Sequence, residues 1–175
     1  VISDFNVVVG DVDTSIDVLR EVAQWCEDNK MGMWKVNKLT KERLLCGVTE
    51  ENFCIGRIGE DNACSMILQW NDPLFWPDAK ENEAGYIHKL CVRRKYSGMG
   101  LSGNMVEYAV SECKRRDIRY LRLDTGWNRA PLCRLYESLG FRKVGKRILG
   151  EREYALYEME IDYLKGRLSS VTAHE

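Results

Sequence analysis

The chain has 175 residues, 45% of them hydrophobic and 30% charged, with a formal net charge of -1, the length and balance of one globular domain that buries a core without staples. That charge excludes the broad electropositive surface of a nucleic-acid binder, and no apolar run is long enough for a signal or membrane segment. Seven cysteines, at 26, 46, 54, 64, 91, 113 and 133, stand no closer than eight residues apart, which excludes a C-x-x-C zinc knuckle, and their odd number favours a reducing, cytoplasmic setting over a disulfide framework.

Residues 6–12 are predicted as a strand, followed by a helix capped by Asp13 or Thr14 and carrying Ile16, Leu19, Val22, Ala23 and Cys26 at helical spacing. An irregular link with Gly32 and Trp34 leads to a shorter helix over 39–48, with Thr40 as its N-cap. Residues 52–59 and 63–70 are short apolar runs flanking Glu60-Asp61-Asn62, the pattern of an antiparallel hairpin. Pro73 and Pro77 mark a loop over 71–83. Then come a strand (85–92), a charged glycine loop, a helix (101–116), a strand (120–125) and a helix (131–139), read as one parallel βαβ unit. Gly140 stops the last helix, and 143–149 and 154–161 close the domain as two further strands. Residues 1–161 thus read as a single domain and 162–175 as a polar tail expected to fray.

The segment Gly98-Met99-Gly100-Leu101-Ser102-Gly103 lies between a strand and a helix, where unbonded backbone N–H groups and the positive helix end favour phosphate oxygens. It also spells G-x-G-x-x-G, with Asp124 at the end of the next strand, so a dinucleotide site is an alternative. Five residues, 93–97, separate the strand from the first glycine, antiparallel strands precede the unit, and too little chain follows to complete a doubly wound sheet. No P-loop pattern occurs. The run Arg93-Arg94-Lys95 before the glycines, and Asp72, Asp78, Glu81 and Glu83 in the earlier loop, read as solvated loop charge.

Taken together, Val92-Arg93-Arg94-Lys95-Tyr96-Ser97-Gly98-Met99-Gly100-Leu101-Ser102 and Leu135-Tyr136-Glu137-Ser138-Leu139-Gly140-Phe141 resemble the GNAT superfamily of acyl-CoA-dependent N-acetyltransferases. The likeness covers about residues 84–141. Arg94 replaces the family's proline, Ser97 stands where Arg or Gln is usual, and Ser102 replaces the last small residue, while Gly100 is kept. The resemblance implies an α/β fold with a mixed, mostly antiparallel sheet of about six or seven strands and roughly four helices. It implies acetyl-CoA as co-substrate, no metal, and a primary amine of a small molecule or peptide as acceptor. A homodimer is common among resembling proteins.

In that frame the backbone of Ser97, Gly98, Met99, Gly100, Leu101 and Ser102 holds the cofactor phosphates. Leu90-Cys91-Val92 diverges from its neighbouring strand and offers backbone groups to pantetheine and the thioester oxygen. Asn128, eight residues before Tyr136, or Arg129 occupies the family's asparagine position. An amine attacking a thioester needs a polarised carbonyl, a neutral nucleophile and a group that meets the departing thiolate. The resemblance gives the last task to the Tyr136 hydroxyl. Alternation places Tyr86, His88 and Leu90 on one strand face, and His88, one of two histidines, is the candidate base; Glu83 and Asp124 are fallback bases. Trp34, Trp76, Tyr86 and Asp124 are the candidate acceptor contacts, and the acidic loop would attract a cationic amine. Trp25 and Trp70 read as core. A second reading is an acyl-CoA-binding sensor without turnover, and a third is a nicotinamide-binding domain.

Overall fold

A computed structural model of the chain describes residues 4–162. Its strands are β1 (Phe5–Val9), β2 (Phe53–Ile58), β3 (Asp61–Gln69), β4 (Ala84–Val92), β5 (Tyr120–Gly126), β6 (Arg142–Leu149) and β7 (Arg152–Glu160). Its helices are α1 (Val12–Asp28), α2 (Lys41–Leu44), α3 (Leu101–Arg115) and α4 (Ala130–Ser138), with short 3-10 turns at Val36–Lys38, Glu50–Asn52 and Arg94–Tyr96. The strands form one sheet in the order β1-β2-β3-β4-β5-β7-β6. The pairs β1/β2, β2/β3, β5/β7 and β6/β7 are antiparallel, giving the mixed α/β fold that the resemblance implies. Among the described residues no helix is long and apolar enough to cross a membrane.

The described residues group into two compact units, one holding 4–69 and Ile87–Tyr108, the other Trp70–Tyr86 and 109–162. In the first, α1 exists because its apolar residues recur on one face. Val18, Leu19, Val22, Ala23 and Cys26 bury together with Leu39 and Cys91, and Trp25 and Trp34 pack against the cluster. The helix starts earlier than the sequence suggests. Asp11, not Asp13 or Thr14, is the N-cap, accepting from the Thr14 amide at 3.1 Å and its hydroxyl at 2.7 Å. Strand β1 is correspondingly short, since Gly10 at φ +94 turns the chain. The second helix shrinks to one turn behind its predicted cap Thr40, whose side chain accepts from the Arg43 amide.

In the second unit Tyr86, Leu121, Leu123, Ala155 and Tyr157 are buried. Gly85 is a close approach: a Cβ there would stand 3.0 Å from Cys113 Sγ and from the Trp70 ring. Arg116 lies 4.0 Å over that ring, so Trp70 packs, as expected. Most of the predicted tail lies outside the described residues.

Candidate functional site

The glycine loop is built by backbone. Gly98 and Gly100 take φ of +78 and +76, a region L side chains rarely adopt, and a Cβ at either would meet nothing within 4 Å. Glycine is therefore needed here for its dihedrals, not for lack of space. Residues Ser97, Gly98, Met99 and Gly100 are exposed, and the side chain of Leu101 is buried. The first helical bond runs from the Asn104 amide to the Gly100 carbonyl at 3.3 Å, so the amides of Leu101, Ser102 and Gly103 have no acceptor within α3. Three adjacent donors at the start of a 15-residue helix are the arrangement that favours an anion.

The basic run before the loop keeps Arg94 and Lys95 exposed, as expected, but each of its side chains also has a partner. Arg93 donates twice to Glu21 of α1, at 2.6 and 3.2 Å. Arg94 stacks 4.0 Å over the Trp25 ring, and Lys95 and Tyr96 both meet Asp61. These partners lie far away in sequence, so the pairing is hidden when the run is read alone.

Strand β4 carries a second departure from simple pattern. Lys89 takes φ +53 within it, a left-handed residue that breaks period-2 alternation as a bulge does. The single face expected for Tyr86, His88 and Leu90 therefore ends at His88. Burial runs continuously over Ala84–Ile87, loosens at His88, Lys89 and Leu90, and returns at Cys91. Lys89 Nζ lies 5.6 Å from the Trp34 ring, and that ring packs on the α1 cluster. Trp34 is thus chiefly a packing residue, half-buried. The Cys91 thiol is pushed up by burial and holds no thiolate.

In the other unit Tyr136 is fixed by the end of α4. Gly140 at φ +98 follows the helix, its amide bonds to the Glu137 carbonyl at 3.1 Å, and the Phe141 amide bonds to the Tyr136 carbonyl at 3.0 Å. This is a Schellman closure, with its usual apolar contact supplied by the Tyr136 and Phe141 rings, edge to face at 6.2 Å. Leu-Tyr-Glu-Ser-Leu-Gly-Phe is thus a helix-stop motif that sets one tyrosine. Tyr136 is 8% exposed; burial, with Asp124 adding, pushes its phenol up to about 12. Asn128 is exposed in the turn before α4, while Arg129 is the N-cap residue, with its stem against Gly126.

Arg122 of β5, to which the sequence assigns no role, is the hub of this unit. Its side chain is 9% exposed; Nε donates to Glu158 at 2.9 Å, and Nη1 to Glu83 at 3.1 Å and to the Tyr86 hydroxyl at 3.2 Å. The guanidinium lies 4.6 Å over Trp76. Tyr86 is 1% exposed, so it stands behind the surface rather than on it, and burial raises its phenol against the Arg122 hydrogen bond. Burial also works to raise the Glu83 carboxyl, but hydrogen bonds from Arg122 and the Lys80 amide outweigh it and hold it below the usual range, which suits an ion-pair partner better than a base. The acidic loop is equally ordered. Asp72 is buried and accepts from the Phe75 amide at 3.2 Å, its carbonyl accepts from the Trp76 amide, and a carboxylate oxygen of Asp72 lies within 4.8 Å of one on Asp124.

The architecture is that of an acetyltransferase. It matches a GNAT-family acetyltransferase from Listeria monocytogenes 4b F2365 with a TM-score of 0.70 and 21% identity, over 89% of this chain and 94% of that one. It also matches a protein from Bacillus anthracis str. Ames, named as a candidate streptothricin acetyltransferase and solved with acetyl coenzyme A, with a TM-score of 0.53 and 21% identity over 63% and 62% of the two chains. In sequence it is 26% identical over 161 residues to the uncharacterized N-acetyltransferase YesJ of Bacillus subtilis (strain 168), covering 88% of this chain and 87% of the relative. The family model of the acetyltransferase (GNAT) family matches residues 19–141, and the chain belongs to that family.

Proposed function

We propose that the chain moves the acetyl group of acetyl-CoA directly to a primary amine of a small-molecule acceptor. The observation that carries this reading is the pair of left-handed glycines, Gly98 and Gly100, leading into α3, whose first three amides have no acceptor within the helix. Such a surface fits the phosphate oxygens of CoA through residues 97–102 without any side-chain cation. The acetyl-CoA held by the Bacillus anthracis relative supports the choice of cofactor. The match over 19–141 runs through both compact units, which supports reading 1–161 as one N-acetyltransferase domain.

The remaining roles follow from chemistry. The bulge at Lys89 supports a strand whose backbone at Leu90, Cys91 and Val92 is available to pantetheine and to the thioester oxygen. Tyr136 makes no hydrogen bond through its hydroxyl among the described residues and keeps its proton well above neutral pH; it suits donation to the departing thiolate. His88, half-buried beside the bulge, is the base that takes the ammonium proton so that the amine attacks as a neutral nucleophile. Asn128 is preferred over Arg129 as the further cofactor contact, because the Arg129 stem is laid against Gly126. Asp124, with Asp72 close by, supports a cationic acceptor, and Trp76 is the candidate for its apolar part.

The deciding experiment is calorimetric titration with acetyl-CoA and, as control, NADH, followed by a thiol-release assay across an amine panel. Saturable acetyl-CoA binding and amine-dependent CoA release are expected. Binding of NADH alone would overturn the cofactor assignment, and binding without release for any amine would overturn the enzymatic one.

A further inference from the structure

One carboxylate holds the segment that delivers the chain into the glycine loop. Asp61 opens β3 at the β2–β3 turn, and three side chains from just before the glycines converge on it. Arg93 Nη1 stands 3.4 Å from Oδ1, Lys95 Nζ stands 3.0 Å from Oδ2, and the Tyr96 hydroxyl donates to Oδ2. Arg93 is fixed further by Nη1 to the Asn62 carbonyl at 3.2 Å and by its amide to the Ala63 carbonyl at 2.9 Å. The Tyr96 hydrogen bond and then Lys95 hold the Asp61 carboxyl below its usual range, so the acceptor is ionised at neutral pH.

A loop with two left-handed glycines is costly to order, because glycine loses the most backbone freedom. Donating several amides to one anion requires that order before binding, or its cost appears in the affinity. On the far side of the loop α3 supplies the rigidity. On the near side is the three-residue turn Arg94–Tyr96; Arg94 stacks on Trp25, and the contact nearest the glycines is that between Tyr96 and Asp61, one residue before Ser97. An exposed ion pair adds little stability, but three donors on one acceptor fix a direction. We infer that Asp61 is a positioning residue for acyl-CoA binding, acting through Tyr96 and Lys95 to preorganise residues 97–102. The inference rests on the reading of that loop as the cofactor-phosphate site.

The direction of the effect separates this role from simple electrostatics. Removing the Asp61 charge releases Lys95 beside the loop, while Arg93 stays on Glu21; the freed charge alone would favour a polyanion such as CoA, and lost positioning acts the other way. In the full chain, Asp61→Asn and Tyr96→Phe are each expected to raise the calorimetric Kd for acetyl-CoA about five-fold or more, and the double variant little further, because both cut one link. Amide hydrogen exchange at Met99 and Gly100, measured without ligand, is expected to quicken in both variants while β1 is unchanged. An unchanged or tighter Kd, or unchanged exchange in the loop, overturns the proposal. A wild-type chain that binds no acetyl-CoA overturns the reading beneath it. The exchange measurement, which needs no ligand, tells that outcome apart from a failed clasp.

Discussion

Arg122 Nη1 donates to Glu83 Oε2 at 3.1 Å, joining β5 to a residue 39 positions earlier, and the same guanidinium serves Glu158 through Nε. The carboxylate side chains are 29% and 16% exposed. Deleting the arginine removes the cation from both of them and the guanidinium donor from the buried Tyr86 hydroxyl, leaving Glu83 only the Lys80 amide. Arg122→Met is expected to cost about 3 kcal/mol or more in urea unfolding. Arg122→Lys, which keeps the charge but loses the fork, is expected to cost roughly half as much.

The same pair sets an acid dependence. The folded Glu83 carboxyl lies below its ordinary value, so its contribution to stability is complete above that ordinary value and is lost as pH falls through the depressed one. Wild type is therefore expected to exceed Glu83→Gln in stability by a constant margin from neutral pH down to about 5, with the margin closing below about 4. Denaturant midpoints across that range give the answer; a margin independent of pH would deny Glu83 its ionised partner role.

What the sequence made legible were the features with a local physical cause. Gly98 and Gly100 announce dihedrals that only glycine adopts easily, and Gly140-Phe141 spells the stop of α4 and thereby the setting of Tyr136. The hairpin of β2 and β3 follows from two short apolar runs around a polar turn. Contacts made over long sequence distances were hidden. Arg93 and Glu21 are 72 residues apart, Lys95 and Asp61 are 34 apart, and nothing near any of them hints at the other. Lys89 gives no cue to its left-handed conformation, since tertiary packing rather than its own preference holds it there, and the reading of one strand face through Leu90 failed for that reason. Asp72 was counted among solvated charges because its burial and its turn amides follow from the fold of the whole loop.

Two glycines separate binding from stability. Gly100→Ala places a Cβ in open space but on a φ of +76, so the loop must strain or re-aim its amides. A loss of about 1 kcal/mol in stability and roughly ten-fold in acetyl-CoA affinity is expected. Gly56→Ala instead drives a Cβ onto Cys64 Sγ and to 2.8 Å from Met105 Sδ and the Phe5 ring. It should cost about 1–3 kcal/mol as core overpacking while leaving acetyl-CoA affinity within about two-fold. Paired thermal unfolding and calorimetry check both, and a reversal of the two profiles would remove the loop from cofactor binding.

Tyr136→Phe tests the thiolate donor. The hydroxyl makes no hydrogen bond among the described residues, and the ring packing against Phe141 and Tyr157 is retained by phenylalanine, so stability and acetyl-CoA affinity should hardly change. Turnover with an amine found in the screen should fall about 100-fold, the lower range for a lost general acid. Because burial lifts the phenol to about 12, above its ordinary value, the proton stays on Tyr136 as pH rises and is lost only as pH nears that figure. Any alkaline fall in rate between about pH 7 and 10 must then belong to another group. The variant's pH profile should be the wild-type curve displaced downward with its shape kept; a profile that loses its alkaline limb would show Tyr136 titrating in that range and contradict the assignment.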